Sequence, residues 1–447
     1  MFYASSLQNL GVVYSSKGDF KKAEYYYLET KQVFDSLNLK EHPDYAALLT
    51  NLSSVYQKTN RFKESEILIL ESIAIYEKSM SLESLDYAAA LGNLANLYIN
   101  MGNYLKAEPL LLKNIQIIKS SLGKQNPEYT LATYNLTNFY FLKKDYVKCN
   151  LLLNELDTLD RSLVLKATQY MSENELQKYI NIFSNRQNYM FSFAHHILLN
   201  NEGQNLNENT ITETCYNNIL FYKAILSEIV EHHKVLATLD STANEKFNLH
   251  RSYLRSLAQQ YSKVITKRDS SYVADLELKA NDIEKELTRI IQPYDKKVQQ
   301  LTWHEIQNKL NMNEAAIEFI HYKYSIRGLS DSIYYAALII SKDMTRPYFL
   351  PLFEESKLNS LFSFTGEHKS DYVNAIYTMP DRRIVNQKDN KTSLYDLLWK
   401  PIEFQIKGIN KIYFSPSGLL HRINLSAIPV SNEETLADRY QLIELNT

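Results

Sequence analysis

Glycine and proline are scarce, 10 of each in 447 residues, which is about 2% apiece where roughly 7% and 5% are usual. So few breakers predict long helices. Cysteine is scarcer still: Cys149 and Cys215 alone cannot form a disulfide framework. No apolar run approaches the roughly 20 residues that span a bilayer, and the start shows no charged segment leading into an apolar one, so the reading is a soluble, cytoplasmic chain with no membrane partner. Lysine plus arginine (49) nearly cancels aspartate plus glutamate (51), with no block of one sign, which argues against nucleic acid as a partner. Phosphate-binding, dinucleotide, serine-elbow and zinc-helix motifs are all missing. No cofactor, no metal site and no catalytic residue follow from motif reading. Protein partners are the class left, and 447 residues predict two or three domains.

What the chain does contain is a repeat. Asn-Leu-x-x-x-Tyr begins at Asn9, Asn51, Asn93 and Asn135, at a constant interval of 42 residues. Tyr3, Tyr45, Tyr87 and Tyr129 keep the same register before it, and Phe20, Phe62, Tyr104 and Tyr146 keep it after. A small-residue column reads Ala23, Ser65, Ala107 and Cys149. A period of this size marks stacked supersecondary units, none of which buries its apolar face alone. Each unit divides into two amphipathic helices, A and B, separated by a turn with Gly18, Asn60 or Gly102 at the left-handed position. His42-Pro43-Asp44 and Asn126-Pro127-Glu128 mark the loops between units. The pattern resembles the tetratricopeptide repeat, and its length resembles the 42-residue form in kinesin light chains. The leucine, tyrosine and small columns read as core. The asparagine column has two readings. An amide donates and accepts, so Asn9, Asn51, Asn93 and Asn135 either hold an extended peptide on the concave face, as the resemblance implies, or tie one repeat to the next.

Past Asp160 the register stops while helical spacing continues, through Leu176, Tyr179, Ile180 and Phe183 and again from Ile219 to Val230, with a polar loop expected at Asn200–Asn209 and Pro293 closing a last helix. The pairs His195-His196 and His232-His233 lack the i, i+4 spacing of a helical zinc site and read as solvated or helix-flanking. From Ala315 the period changes. AAIEFIHY, SIYYAALIIS, the short Tyr348-Phe349-Leu350 and KIYFS read as strands, Leu394–Trp399 as a helix ending before Pro401, and Pro416-Ser417-Gly418 as a type I turn. Ser415 and Ser417 have no evident base in the sequence.

Trp303-His304-Glu305, Glu314–Phe319, Leu398-Trp399-Lys400-Pro401, Ile412–Ile423 and Asp438-Arg439-Tyr440 together resemble the opening of a CHAT domain, a caspase-like, separase-related cysteine peptidase family found after tetratricopeptide repeats in bacteria. The resemblance implies a histidine and a cysteine beyond Asp438-Arg439-Tyr440, and the sequence stops at Thr447, so the dyad is expected to be missing and His421 to be a turn or packing residue.

The fold class expected is thus α + α/β: an all-α superhelix of four repeats over 1–160, a helical linker over 161–300, and the incomplete front of a caspase-like α/β domain over 301–447. The function expected is binding of a protein or peptide in the concave groove, coupled in an intact protein to a CHAT-type peptidase, with a non-catalytic scaffold as the alternative.

Overall fold

The computed structural model describes residues 2–168, 170–200, 208–237, 241–261, 263, 268–291, 301–326, 332–362, 377, 393–431 and 433–445. It divides into two compact units, Met1–Leu159 and Asp160–Thr447.

In the first unit the 42-residue register becomes helical hairpins: α1 (Phe2–Ser16) with α2 (Phe20–Ser36), α3 (Pro43–Lys58) with α4 (Phe62–Ser79), α5 (Leu85–Asn100) with α6 (Tyr104–Leu122), then α7 (Pro127–Leu142) and α8 (Tyr146–Ala167). Each A helix closes in the same way. Gly18, Asn60, Gly102 and Lys144 take positive φ of 77°, 61°, 73° and 61°. The next amide then reaches back to the carbonyl of the motif tyrosine: Asp19 to Tyr14, Arg61 to Tyr56, Asn103 to Tyr98 and Asp145 to Tyr140, at 2.8 to 3.0 Å. This is the Schellman closure, which satisfies a carbonyl the helix end would otherwise orphan. His42, Ser84 and Asn126 cap the following A helices with their side chains.

Small residues set the spacing inside each hairpin. Ala23, Ser65, Ala107 and Cys149 are fully buried. Gly11 lies against the ring of Tyr27, and a Cβ there would come within 2.4 Å of Cε1. At the equivalent pairs the large ring is gone and the small residue has grown: Ser53 with Ile69, Ala95 with Leu111, Thr137 with Leu153. Volume is exchanged across the helix pair at constant total, as close packing requires.

The second unit begins with the rest of α8 and continues through α9 (Glu173–Ile182), α10 (Ser184–Asn200), α11 (Glu208–Ala237), α12 (Ser241–Tyr261), α13 (Ser270–Ile291) and α14 (Trp303–Lys309) into a five-stranded sheet. Its strands are β1 (Glu314–Lys323), β2 (Ile333–Ser341), β3 (Tyr348–Glu354), β4 (Lys411–Ser415) and β5 (Gln441–Glu444), in the order β3-β2-β1-β4-β5. The β1–β2 and β2–β3 pairs are antiparallel; β1–β4 and β4–β5 are parallel. Both faces of β1 are covered, which explains its nearly unbroken apolar run. Ala315, Ile317 and Phe319 enter the main core with Leu398, Trp399, Ile402 and Leu420. On the other face Glu318 meets Lys223 of α11 at 2.7 Å, and Tyr322 meets His195 of α10 at 2.5 Å.

Several expectations need correcting. His195 and His196 are buried in α10, at 5% and 7% exposure, not solvated, because α10 packs on the sheet through them. His232 and His233 lie within α11, but their side chains are outside the described residues, as are most of the loop expected at 200–209 and Pro293. The helix around Leu394–Trp399 is a π-helical turn, Tyr395–Trp399, and does not stop before Pro401: a short helix, Lys400–Glu403, follows with the proline in its first turn, where no amide is needed. Pro416-Ser417-Gly418 is not a type I turn. Ser417 is extended (φ −146°, ψ 144°) and Gly418 has φ 57°, and the Tyr335 hydroxyl, which lies against Gly418, accepts the Leu419 N–H at 2.9 Å.

Two measurements check this packing. Alanine favours a helix interior over glycine by about 1 kcal/mol, but overpacking against a buried ring costs about 1–3 kcal/mol, so Gly11→Ala is expected to lower the melting temperature. Gly11→Ala combined with Tyr27→Leu, which copies the third repeat, is expected to restore it. The second measurement is alkaline stability. Burial pushes the Tyr27 phenol up to about 12, and burial together with the Glu66 hydrogen bond does the same for Tyr98. A folded-state value above the unfolded one, about 10, gives stability that is complete below pH 10 and lost as pH rises through about 12. The urea midpoint is therefore expected to be lower at about pH 11 than at about pH 9.

Candidate functional site

Neighbouring A helices in the first three units touch each other. α1 packs on α3 and α3 on α5, more closely than successive B helices approach each other. Stacked units turn inward on the side where neighbours touch, which makes the concave surface of a solenoid. These helices carry little charge. α1 has none, α5 has Asp86 alone, α7 has Glu128 alone, and α3 has Asp44 and Lys58, so apart from Lys58 every charge sits in a first turn.

Asn9, Asn51, Asn93 and Asn135 occupy one station on these four helices; Asn9 is exposed and the other three are half-buried. None of the four side chains has a hydrogen-bond partner among the described residues. One turn later Asn96 and Asn138, both half-buried, repeat the amide in the third and fourth units, and the exposed Asn100 extends it in the third. One turn earlier the stripe is small or apolar, with Ala47, Ala89 and Leu131. The surface is thus a neutral strip of open amides beside apolar steps, able to donate to and accept from a peptide backbone.

The ties within and between units are made by other residues. Gln57 Nε2 donates to the Asn93 backbone carbonyl at 3.3 Å, an inter-repeat bond that uses the asparagine's main chain and leaves its amide open. Motif tyrosines make further bonds between units: Tyr98 Oη donates to Glu66 at 2.9 Å and Tyr140 Oη to Glu108 at 3.1 Å, while at the junction of the first and second units Arg61 donates to Glu24 at 2.6 Å. Glu108 is held below the usual carboxylate range by the Lys143 hydrogen bond, reinforced by the Tyr140 bond. Inside the hairpins Asn114 Nδ2 donates to the Ala88 carbonyl at 2.6 Å, and the equivalent Ser72 Oγ to the Ala46 carbonyl at 2.8 Å. Sequence reading missed this column because its residue type changes from Thr30 to Ser72 to Asn114. The signal available was a polar residue recurring at 42-residue spacing on the buried face of helix B.

The other sequence-level candidates are placed as follows. Cys149 and Cys215 are both fully buried. His421 is exposed on a 3₁₀ turn, Gly418–Arg422. No group of three or more metal-ligating side chains is assembled among the described residues. No described helix is long and apolar enough to cross a membrane. Ser417, given no partner by the sequence, lies 2.7 Å from His321 Nδ1.

Two family models match the chain, both described as tetratricopeptide repeat, over residues 2–78 and 88–128. No curated protein matches in sequence. Among solved structures the chain is similar to BtubC (BKLC) from P. vanneervenii, at 18% identity and TM-score 0.33, over 35% of this chain and 62% of that one. The chain therefore spans about three fifths of that protein. It is also similar to nearly identical TPR-like repeats ascribed to a Podosopora anserina putative kinesin light chain, at 20% identity and TM-score 0.35, over 48% of this chain and 93% of that one. A variant form of those repeats gives 18% identity and the same TM-score of 0.35 over the same shares.

The division of labour between the two kinds of asparagine can be measured by thermal melting. Asn114→Ala leaves a buried carbonyl short of a donor and is expected to cost about 1–2 kcal/mol. Asn93→Ala removes an amide with no intramolecular partner and is expected to stay within about 0.5 kcal/mol of the parent.

Proposed function

We propose, for a chain whose residues 2–78 and 88–128 are tetratricopeptide repeats, that the concave face binds an extended segment of a protein partner through its main chain. The observation that carries this is the set of open amides at Asn51, Asn93 and Asn135, with Asn9 at the exposed end of the row. Half-buried amides left unpaired are poorly solvated, and a peptide backbone supplies matching donors and acceptors at regular spacing. The low charge of the A helices favours recognition of backbone shape over recognition of a charged tail.

We further propose that the strand-bearing segment 301–447 is the front of a CHAT-type domain whose state the repeats sense, with 1–160 as the sensing array and 161–300 between them. The support is the quoted motif resemblance together with parallel strands β1, β4 and β5 following the helices. Such coupling requires a ligand that prefers one arrangement of the protein over another. A scaffold role is the second reading, and one observation favours it: both cysteines are fully buried, so neither serves as a thiolate nucleophile.

The test pans a random peptide phage library on the full chain and on the Asn51→Ala/Asn93→Ala/Asn135→Ala variant. Selected peptides are expected to bind the variant about 10–100-fold more weakly, as befits two or three lost hydrogen bonds. Their affinity is expected to change by no more than about threefold between about 0.05 and about 0.5 M salt. Peptides that keep full affinity for the triple variant would overturn the proposal.

A further inference from the structure

The carboxyl ends of β1 and β4 bring together side chains that no repeat-based function uses. The two strands are parallel neighbours, with Glu318 opposite Ser415, and the chain delivers His321 at the end of one and Ser417 just past the end of the other. In α/β sheets this end of adjacent parallel strands is where ligands meet the protein. His321 Nδ1 lies 2.7 Å from Ser417 Oγ. His321 is exposed to solvent and Ser417 half-buried.

The surroundings fix this pair. The His321 ring stacks on Tyr335, with centroids 5.9 Å apart and planes 28° apart. Tyr335 is fully buried, donates to Glu355 Oε2 at 3.0 Å and accepts the Leu419 N–H at 2.9 Å. Gly418 follows the serine with φ 57°, and a Cβ on it would lie 2.5 Å from the Tyr335 hydroxyl and 3.1 Å from the His321 ring. Only glycine lets the chain turn this closely past the two rings. The extended Ser417 presents its hydroxyl to the imidazole, and the Gly418 N–H has no hydrogen-bond partner among the described residues. Glu355 also lines an open depression of about 370 Å³ with Ser332, Ile333, Glu354, Ser356 and Asn359.

We propose that Ser417 and His321 are a nucleophile and general base that hydrolyse small carboxylic esters, with the Gly418 N–H donating to the developing oxyanion. Ser417 Oγ attacks the ester carbonyl carbon while its proton passes to His321 Nδ1. The carbonyl oxygen, now an alkoxide, faces the Gly418 N–H. The C–O bond to the alcohol breaks, and the leaving alkoxide takes the proton from Nδ1. Water then attacks the acyl-serine and gives its proton to Nδ1, and Ser417 departs with that proton, releasing the acid. Although its edge is exposed, desolvation on the side packed against Tyr335 holds His321 below its ordinary value, opposed by the Glu355 carboxylate and assisted by His421 and Lys223, which favours the neutral, proton-accepting ring at pH 7. Glu355 favours the imidazolium once it forms.

The test treats the full chain with a fluorophosphonate probe and locates the adduct by peptide mass spectrometry. Labelling at Ser417 is expected, and Ser426→Ala is expected to leave it unchanged. His321→Gln is expected to slow labelling by about 100-fold or more, with an unchanged circular dichroism melt showing that the fold persists. If His321→Gln unfolds the chain, Ser417→Cys replaces it: iodoacetamide is expected to alkylate that thiol with a pH profile set by an imidazole and not by an ordinary thiol. No label at Ser417 in the folded chain, label that His321→Gln leaves untouched, or an ordinary thiol profile would each overturn the proposal.

Discussion

The repeat array depends on one residue doing two jobs. In each Asn-Leu-x-x-x-Tyr motif the tyrosine carbonyl closes helix A by accepting the amide five residues on, which fixes where the hairpin turns. In the third and fourth motifs its phenol donates to a glutamate on helix B of the preceding unit, Glu66 or Glu108, which ties the next hairpin to the one before. Turn and stacking contact therefore involve the same residue, one through its main chain and the other through its side chain. A cation completes the arrangement on the ring face, Arg61 at 3.5 Å over Tyr56, Lys106 at 4.9 Å over Tyr98 and Lys148 at 4.7 Å over Tyr140. Such contacts are worth little singly at a surface, but here they recur at each junction and bias the same geometry, which is how a chain of nearest-neighbour interfaces acquires a regular curvature.

Inside the hairpins the sequence varies more than the structure does. Thr50 and Ser72 share a hydrogen bond at 2.8 Å in the second unit. In the third, Gly92 and Asn114 occupy the same two stations, and a Cβ at Gly92 would lie 3.3 Å from the Asn114 amide. One side chain has shrunk so that the other reaches the same carbonyl. This explains what was legible and what was not. Columns that keep one residue type, such as the tyrosines and asparagines, announce themselves in the sequence. Columns that keep a volume or a hydrogen bond while exchanging residues across the interface are visible only when both helices are seen together.

The strand-bearing unit shows the same boundary. β1, β2 and β4 were readable because apolar runs of this length with β-branched and aromatic residues have few other uses. Their coverage was not. Periodicity cannot tell that α10 and α11 supply one face of the sheet, since the contacts join residues far apart in the chain: His195 with Tyr322, Lys223 with Glu318, Ser192 with the Ser325 amide. The histidine pair read as solvated is buried for that reason. The turn at Ser417-Gly418 departs from the type I form likewise, and it is held by Tyr335 from a different strand, a contact the local sequence does not show.

In the repeats the side chains that join units are kept apart from the open amides, and this bears on the binding proposed above. The residues that join units, tyrosine, glutamate and the cations over the rings, sit at the helix A ends and on helix B. The open amides sit on the middle of helix A, where they join nothing. Side chains free of structural duty can be altered without cost to the fold. Charged side chains would bind a charged ligand from a distance and in many poses. Amides act only at hydrogen-bond range and only on groups presented at matching intervals. A strip of them suits the extended main chain proposed above, with the apolar steps Ala47, Ala89 and Leu131 running beside it.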